Sequence, residues 1–170
     1  MAIQIKTLDQ LKTMRRAGLL VGQTLELLRQ SIKVGMRTDA LDAIAAANIK
    51  RGGGTSNFLG YHGYPATICI SINDEIVHGI PGDRIIQDGD VVSIDCGAII
   101  DGWHGDAAFS YGVGTVDSAD QKMMDVCEES MWRGFAAAKV GGRLTDISHA
   151  IGSYIDSQGK YGILAEYGGH

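Results

Sequence analysis

The chain has 170 residues, of which 45% are apolar, and this length suffices for one substantial hydrophobic core. Its formal charge of −5 is dispersed, without the basic stripe that nucleic-acid binding requires. The N-terminus lacks the apolar block of a signal peptide. The sequence also contains no run of about 18 apolar residues, the length that a membrane-spanning helix needs. Cys69, Cys96 and Cys127 are too widely spaced for a zinc ribbon. We therefore expect a cytoplasmic globular protein that binds neither membrane nor nucleic acid directly.

Two helices are predicted at the start of the chain. Thr7 and Gln10 form a capping-box pattern, and apolar residues follow it at helical spacing. Thr38 is the predicted N-cap of a second helix, which the glycines from Gly52 onward should end.

The hydrophobic period then changes from helical to alternating. Between Ala66 and Tyr111 the residues are rich in β-branched types and are interrupted by turn dipeptides, which predicts a series of antiparallel strands. A helix is expected again at Ser118, where Ser118 and Gln121 match a second capping box.

The chain also resembles itself. Lys33–Asp39 and Lys139–Asp146 are similar, and each follows a long predicted helix and precedes a shorter one. Such a repeat is read as a structural unit that buries a face it shares with its partner. We therefore expect a single domain, residues 1–170, with a first half at 1–116 and the start of a second half at 117–170, whose sheet does not follow within these residues.

Two acids lie on a predicted hairpin. Asp101-Gly102 between alternating runs is a strong signal for a two-residue turn, so facing residues should sum to 203. Asp95 then faces Ala108 and Asp106 faces Gly97, which places both acids on one face as diagonal neighbours, ~7–8 Å apart at the backbone. A buried carboxylate needs a partner, and the small residues opposite leave room for metal ions. The alternative is a solvated sheet face without a ligand.

Several motifs in this order resemble those of the type I methionine aminopeptidases, a family of metallopeptidases. They are Leu59–Pro65, Cys69–Asn73, Val77–Pro81, Ser93–Asp95, Asp101–Asp106 and Gly168–His170. The resemblance implies an α+β fold of the pita-bread type, in which helices cover an antiparallel sheet and two halves are related by a pseudo-two-fold axis. In this chain the second half would be incomplete.

The resemblance also implies a ligand set for two divalent metal ions, whether Co, Mn, Fe or Zn. Asp95 would chelate one metal, Asp106 would bridge both, and His170 would bind the other. Two further glutamates of the family lie well downstream and have no counterpart within these 170 residues, so we expect this chain alone to be inactive.

His78 would contact the substrate and stabilise the tetrahedral intermediate, although a lone histidine is more often an ordinary strand residue bonded to backbone. Phe58, Tyr61, Tyr64 and Cys69 would line a pocket for the methionine side chain, with His62 near its rim; the simpler interpretation is a hydrophobic core.

The implied function is removal of the initiator methionine from nascent proteins whose second residue is small, by a monomeric enzyme acting on peptides or nascent polypeptides. A co-translational enzyme would work at the ribosome, for which the sequence carries no signature. The alternative is a pita-bread module that binds peptides or proteins without catalysis, or an inactive fragment.

Overall fold

The computed structural model describes residues 3–164 and 167, and the chain divides into two units between Val116 and Asp117. None of the helices in the described part is long and apolar enough to cross a membrane. The first unit contains two helices and a four-stranded antiparallel sheet. The second contains two helices.

The first unit begins with two helices that cover one face of its sheet. Helix α1 spans Leu8–Ser31 and helix α2 spans Thr38–Arg51. The predicted capping box is confirmed, because Thr7 Oγ1 accepts a hydrogen bond from Gln10 N and the Gln10 side chain accepts one from Thr7 N. Gly52 ends α2, as expected.

Thr38 does not cap α2, contrary to the expectation from the sequence. The N-cap is Arg37, and the Thr38 hydroxyl is bonded to both the N–H and the carbonyl of Gly82. The first helical N–H groups of α2 donate instead to carbonyls of a neighbouring loop, Thr38 to Arg84 and Asp39 to Gly82. A tertiary contact therefore satisfies the groups that a side-chain cap would satisfy.

The sheet is built around its longest strands, β3 (Val91–Ile100) and β4 (Trp103–Gly112), which form a hairpin. The other edge of β3 pairs with two shorter strands, β1 (Thr55–Ser56) and β2 (Ile68–Ile72). Helix α1 packs on β3 and β4. The core between helices and sheet contains fully buried aliphatic side chains, among them Leu28, Leu41, Ile49, Ile68, Ile86 and Ile94.

The expected series of strands from Ala66 to Tyr111 is interrupted. Between β2 and β3, residues 73–90 contain only an isolated bridge, Arg37 to Ile85. The prediction was wrong here, because this stretch pairs with the connection between α1 and α2 and not with the sheet. Gly35 N donates to Ile86 O, and Ile86 N donates to Met36 O, each at 2.8 Å.

The second unit consists of α3 (Ser118–Ala137) and α4 (Leu144–Gln158). The predicted capping box at Ser118 is wrong, because Asp117 is the N-cap and accepts a hydrogen bond from Ala119 N at 2.7 Å. The helices pack at Gly134, where a Cβ would lie 2.8 Å from Ile151 Cδ1.

The internal repeat has the same local structure in both copies. Gly35 and Gly141 have φ angles of +86° and +84°, a region that favours glycine. In each turn the lysine carbonyl, of Lys33 or Lys139, accepts a hydrogen bond from the N–H three residues later. A helix, the same glycine turn and a second helix therefore occur twice in the chain.

Candidate metal centre

The hairpin that carries the two acids has the predicted register. Asp95 faces Ala108 and Gly97 faces Asp106. Asp101 and Gly102 form the turn with φ angles of +49° and +77°, as a type I′ turn requires. Because side chains alternate between the two faces of a strand, Asp95 and Asp106 lie on the same face of the sheet.

The two faces of the hairpin differ in burial. The even-numbered residues of β3, from Val92 to Ile100, face the helices and are buried. The opposite face, which we call the open face, carries Asp95, half-buried, and Asp106, exposed. Ser93 and Ser110 also lie on it, with their hydroxyl oxygens 2.7 Å apart. The open face is therefore a polar surface on the side of the sheet opposite the hydrophobic core.

The donors on the open face fit a divalent cation in type. Carboxylate oxygens are hard ligands that suit divalent metals, and Ala108 opposite Asp95 has no side chain beyond Cβ. The space over Gly97, opposite Asp106, is filled by the Asn57 side chain, contrary to the room expected there from the sequence. No group of three or more potential metal ligands occurs among residues 3–164 and 167. Asp95 and Asp106 would therefore hold a metal together with ligands from elsewhere. His170, the third predicted ligand, lies outside the described residues.

The negative charges of Asp95 and Asp106 affect the pKa values of two nearby cysteines. Burial, together with the smaller effect of the negative charges of Asp95 and Asp106, raises the pKa of Cys96 to about 12. Burial also raises the pKa of Cys69; a hydrogen bond with Tyr64 opposes this increase, and the same two carboxylates add to it. Cys69 faces Asp95 in the register of β2 and β3. The two carboxylates thus act on a common region of the sheet.

Three of the predicted pocket residues lie close together beside Asp95. The Phe58 and Tyr64 rings meet edge to face at 6.4 Å between centroids, and Tyr64 lies close enough to the buried Cys69 for each to change the pKa of the other. Burial raises the pKa of Tyr64, and Cys69 raises it further. The Tyr64 hydroxyl lies 3.1 Å from the carbonyl oxygen of Ile68 and 2.9 Å from that of Gly79, and its single hydrogen is shared between these two acceptors. An aromatic and thiol surface therefore adjoins the acids.

The other two pocket candidates are exposed. Tyr61 and His62 belong to a short 3₁₀ turn, Tyr61–Gly63, and their rings stack edge to face at 4.3 Å. Tyr61 is 67% exposed, and His62 has a φ of +47°. These two residues are therefore available at the surface and are not part of the core.

His78 lies in the loop that follows β2. It is exposed and has a φ of +61°, a strained conformation for a residue with a side chain. The next residue holds the loop against β2, because Gly79 O accepts from Ile70 N at 2.9 Å and Gly79 N donates to Ser71 Oγ at 3.1 Å. The histidine side chain is thus presented by a backbone that the sheet edge fixes.

Asn57, which the sequence did not single out, lies on the open face. A Cβ added to Gly97 would be 2.6 Å from Asn57 Nδ2 and 2.8 Å from its Cβ and Cγ. The side chain thus crosses over Gly97, the residue that faces Asp106, and Nδ2 donates to Gly105 O at 3.4 Å. The only sequence signal was indirect, namely a glycine opposite Asp106.

A family model described as "Metallopeptidase family M24" matches residues 12–170. The chain belongs to this family. Two similar relatives are methionine aminopeptidase 1 of Bacillus subtilis, 46% identical over 97% of this chain and 66% of the relative, and the methionine aminopeptidase of Clostridium acetobutylicum, 44% identical over 99% and 67%. The resemblance to methionine aminopeptidases is therefore confirmed. The M24 chain spans about two thirds of the length of the curated relatives it matches.

Solved structures agree with this membership. The crystal structure of methionine aminopeptidase from Thermotoga maritima superimposes with a TM-score of 0.89 at 34% identity, covering 92% of this chain and 63% of that one. Prolidase from Pyrococcus furiosus has a TM-score of 0.77 at 21% identity, covers 91% of this chain and 44% of that one, and shows the shared fold alone. The α+β pita-bread fold predicted for the M24 chain is confirmed.

Proposed function

We propose that this M24 chain carries part of the active site of a methionine aminopeptidase, which removes the initiator methionine from proteins whose second residue is small. The observation that carries the proposal is the pair Asp95 and Asp106 on one face of the hairpin, beside an aromatic and thiol surface. The names of its relatives support the choice of substrate.

In this proposal Asp95 and Asp106 bind two divalent metal ions together with His170 and two glutamates that are not among these residues. Two metals would supply an activated water and a Lewis acid for the amide carbonyl. The carboxylates also offset the repulsion between two cations. The identity of the metal is open among Co, Mn, Fe and Zn, since carboxylate and imidazole ligands accept all four.

His78 would stabilise the negative charge that develops on the carbonyl oxygen, because an imidazole N–H can donate to it. The fixed backbone at Gly79 supports this role, since a donor stabilises a transition state only when it is held in place. Phe58, Tyr64 and Cys69 would contact the methionine thioether, which is polarizable and packs well on rings and sulfur. Tyr61 and His62 would form the rim.

We further infer a cytoplasmic, monomeric enzyme that meets nascent chains near the ribosome. From the ligand count, residues 1–170 alone should have little activity. The expected division of the domain, with the second half beginning at 117, belongs to the same proposal. Exposed apolar side chains of the second unit, Trp132, Phe135, Val140 and Leu144, support it, because two helices alone leave such surface uncovered.

The test is methionine release from Met-Ala-Ser by the metal-loaded full-length protein. We expect release that a chelator abolishes, and none from the acetylated peptide, which lacks the free amine. Asp95→Asn should reduce turnover by more than the ~10–100-fold that is typical of outer-shell partners. Asp101→Asn, in the turn of the same hairpin, should reduce it little. Peptide binding without release would favour a non-catalytic module.

A further inference from the structure

Asn57 has an acceptor that the fold leaves unused. Its Oδ1 is buried and has no hydrogen-bond partner among the described residues. The backbone around it is well fixed, because Asn57 N donates to Gly97 O at 3.2 Å, and Nδ2 donates to Gly105 O at 3.4 Å. With the backbone N–H and one side-chain N–H engaged, the carboxamide lies against Gly97 and Gly105, and its oxygen is left unused.

A buried acceptor without a partner is costly, so such groups are nearly always satisfied in a working protein. The partner must be a hydrogen-bond donor or a cation. Asn57 covers Gly97, which Asp106 faces across the hairpin and which Asp95 precedes by two residues on the same face. Three oxygen-bearing side chains therefore surround one small region of the open face.

We propose that Asn57 is a substrate-binding residue whose Oδ1 accepts a hydrogen bond from the free α-amino group of the peptide, an assignment that rests on the function proposed above. An amino group carries several N–H donors on one atom and can contact more than one acceptor at once. A neutral amide oxygen adds an acceptor without adding negative charge to two carboxylates. Asn57 would thus orient the amine and favour peptides with an unblocked N-terminus.

Gly97 is part of the same arrangement. Any side chain at this position would collide with Asn57, including its Cβ, which a rotamer change cannot move away. Glycine at position 97 therefore allows the asparagine side chain to cross the hairpin and reach Gly105. This pairing explains why the residue opposite Asp106 is the smallest one.

The experiment compares two probes, L-methionine and its des-amino analogue, by calorimetry on the metal-loaded full-length protein. Wild type should bind methionine more tightly. Asn57→Leu has a similar shape but no acceptor, and it should reduce this preference about tenfold while leaving the affinity for the des-amino analogue unchanged. Asn57→Asp keeps an acceptor oxygen and adds a negative charge that attracts an amino group, so it should keep or increase the preference. Asn48→Leu, at a half-buried asparagine of α2, is the matched control and should change neither affinity.

Each outcome decides the assignment. Equal loss of affinity for both probes in Asn57→Leu would mean that Asn57 bonds to a buried water or only supports the fold, and would overturn it. Loss of the preference in Asn57→Asp would also overturn it, even if Asn57→Leu did not fold. A wild-type protein that does not prefer the free amine would refute the proposed function, and this assignment with it.

Discussion

Replacing Gly79 by alanine tests how the loop that carries His78 is held against the sheet. A Cβ at this position would overlap the carbonyl oxygen of Ile70 and would lie 2.8 Å from its carbonyl carbon. Both are backbone atoms of β2, paired on their other side with β3, so they cannot move away easily. The loop must move instead of the strand.

The cost follows from the contacts that the loop would lose. Gly79 makes three hydrogen bonds, from Ile70 N and the Tyr64 hydroxyl to its carbonyl, and from its N–H to Ser71 Oγ. At ~0.5–1.5 kcal/mol each, their loss amounts to about 1.5–4.5 kcal/mol. Activity should fall further than stability indicates, because a shift of about 1 Å in a catalytic group can cost ~100-fold in rate.

The matched control is Gly82→Ala in the same loop, where a Cβ would meet no atom within 4 Å. Urea unfolding gives the change in free energy, and hydrogen exchange at the Ile70 amide reports the loop contact directly. We expect Gly79→Ala to speed exchange at Ile70 and to lower stability and turnover, while Gly82→Ala changes none of them. If both variants behave like wild type, the loop is not held by this contact.

Two further predictions concern the core and the cysteines. Gly105→Ala should destabilise the first unit by about 1–3 kcal/mol or more in thermal unfolding, because its Cβ would lie 2.6 Å from backbone atoms of Ala17 and Gly18 in α1. The control Gly22→Ala, where a Cβ meets no atom within 4 Å, should stabilise the unit by about 0.5–1 kcal/mol. Equal effects of the two substitutions would contradict the close packing at Gly105. Iodoacetamide at pH 8 should label the exposed Cys127 first. Cys69 and Cys96 should react only slowly, because these two thiols are buried and their pKa values are raised. Equal labelling rates in peptide mapping would refute this order.

The hairpin could be predicted in detail because its determinants are local. Asp101-Gly102 fixes the turn type, the turn fixes the register, and the register places Asp95 and Asp106 on one face. The capping box at Thr7 is local in the same sense, since its partners are three residues apart.

Features that depend on distant contacts could not be predicted. Thr38 is of a residue type that often caps helices, but its hydroxyl is hydrogen-bonded to Gly82, 44 positions further along the chain. The stretch from 73 to 90 alternates like a strand, yet it pairs with the connection between α1 and α2. Asn57 belongs to the candidate site only because β1 and β4 lie on opposite sides of β3.

The central claim is that Asp95 and Asp106 bind divalent metal, and calorimetric titration of the metal-free full-length protein with Mn²⁺ tests it most directly. Wild type and Asp101→Asn should bind Mn²⁺ with the same affinity. Asp101 lies at the turn of the hairpin, several residues from Asp106, and its ion pair with Arg16 is exposed. Asp106→Asn should lose measurable binding while keeping the unfolding temperature of the metal-free wild type. Unchanged Mn²⁺ affinity in Asp106→Asn would contradict the account.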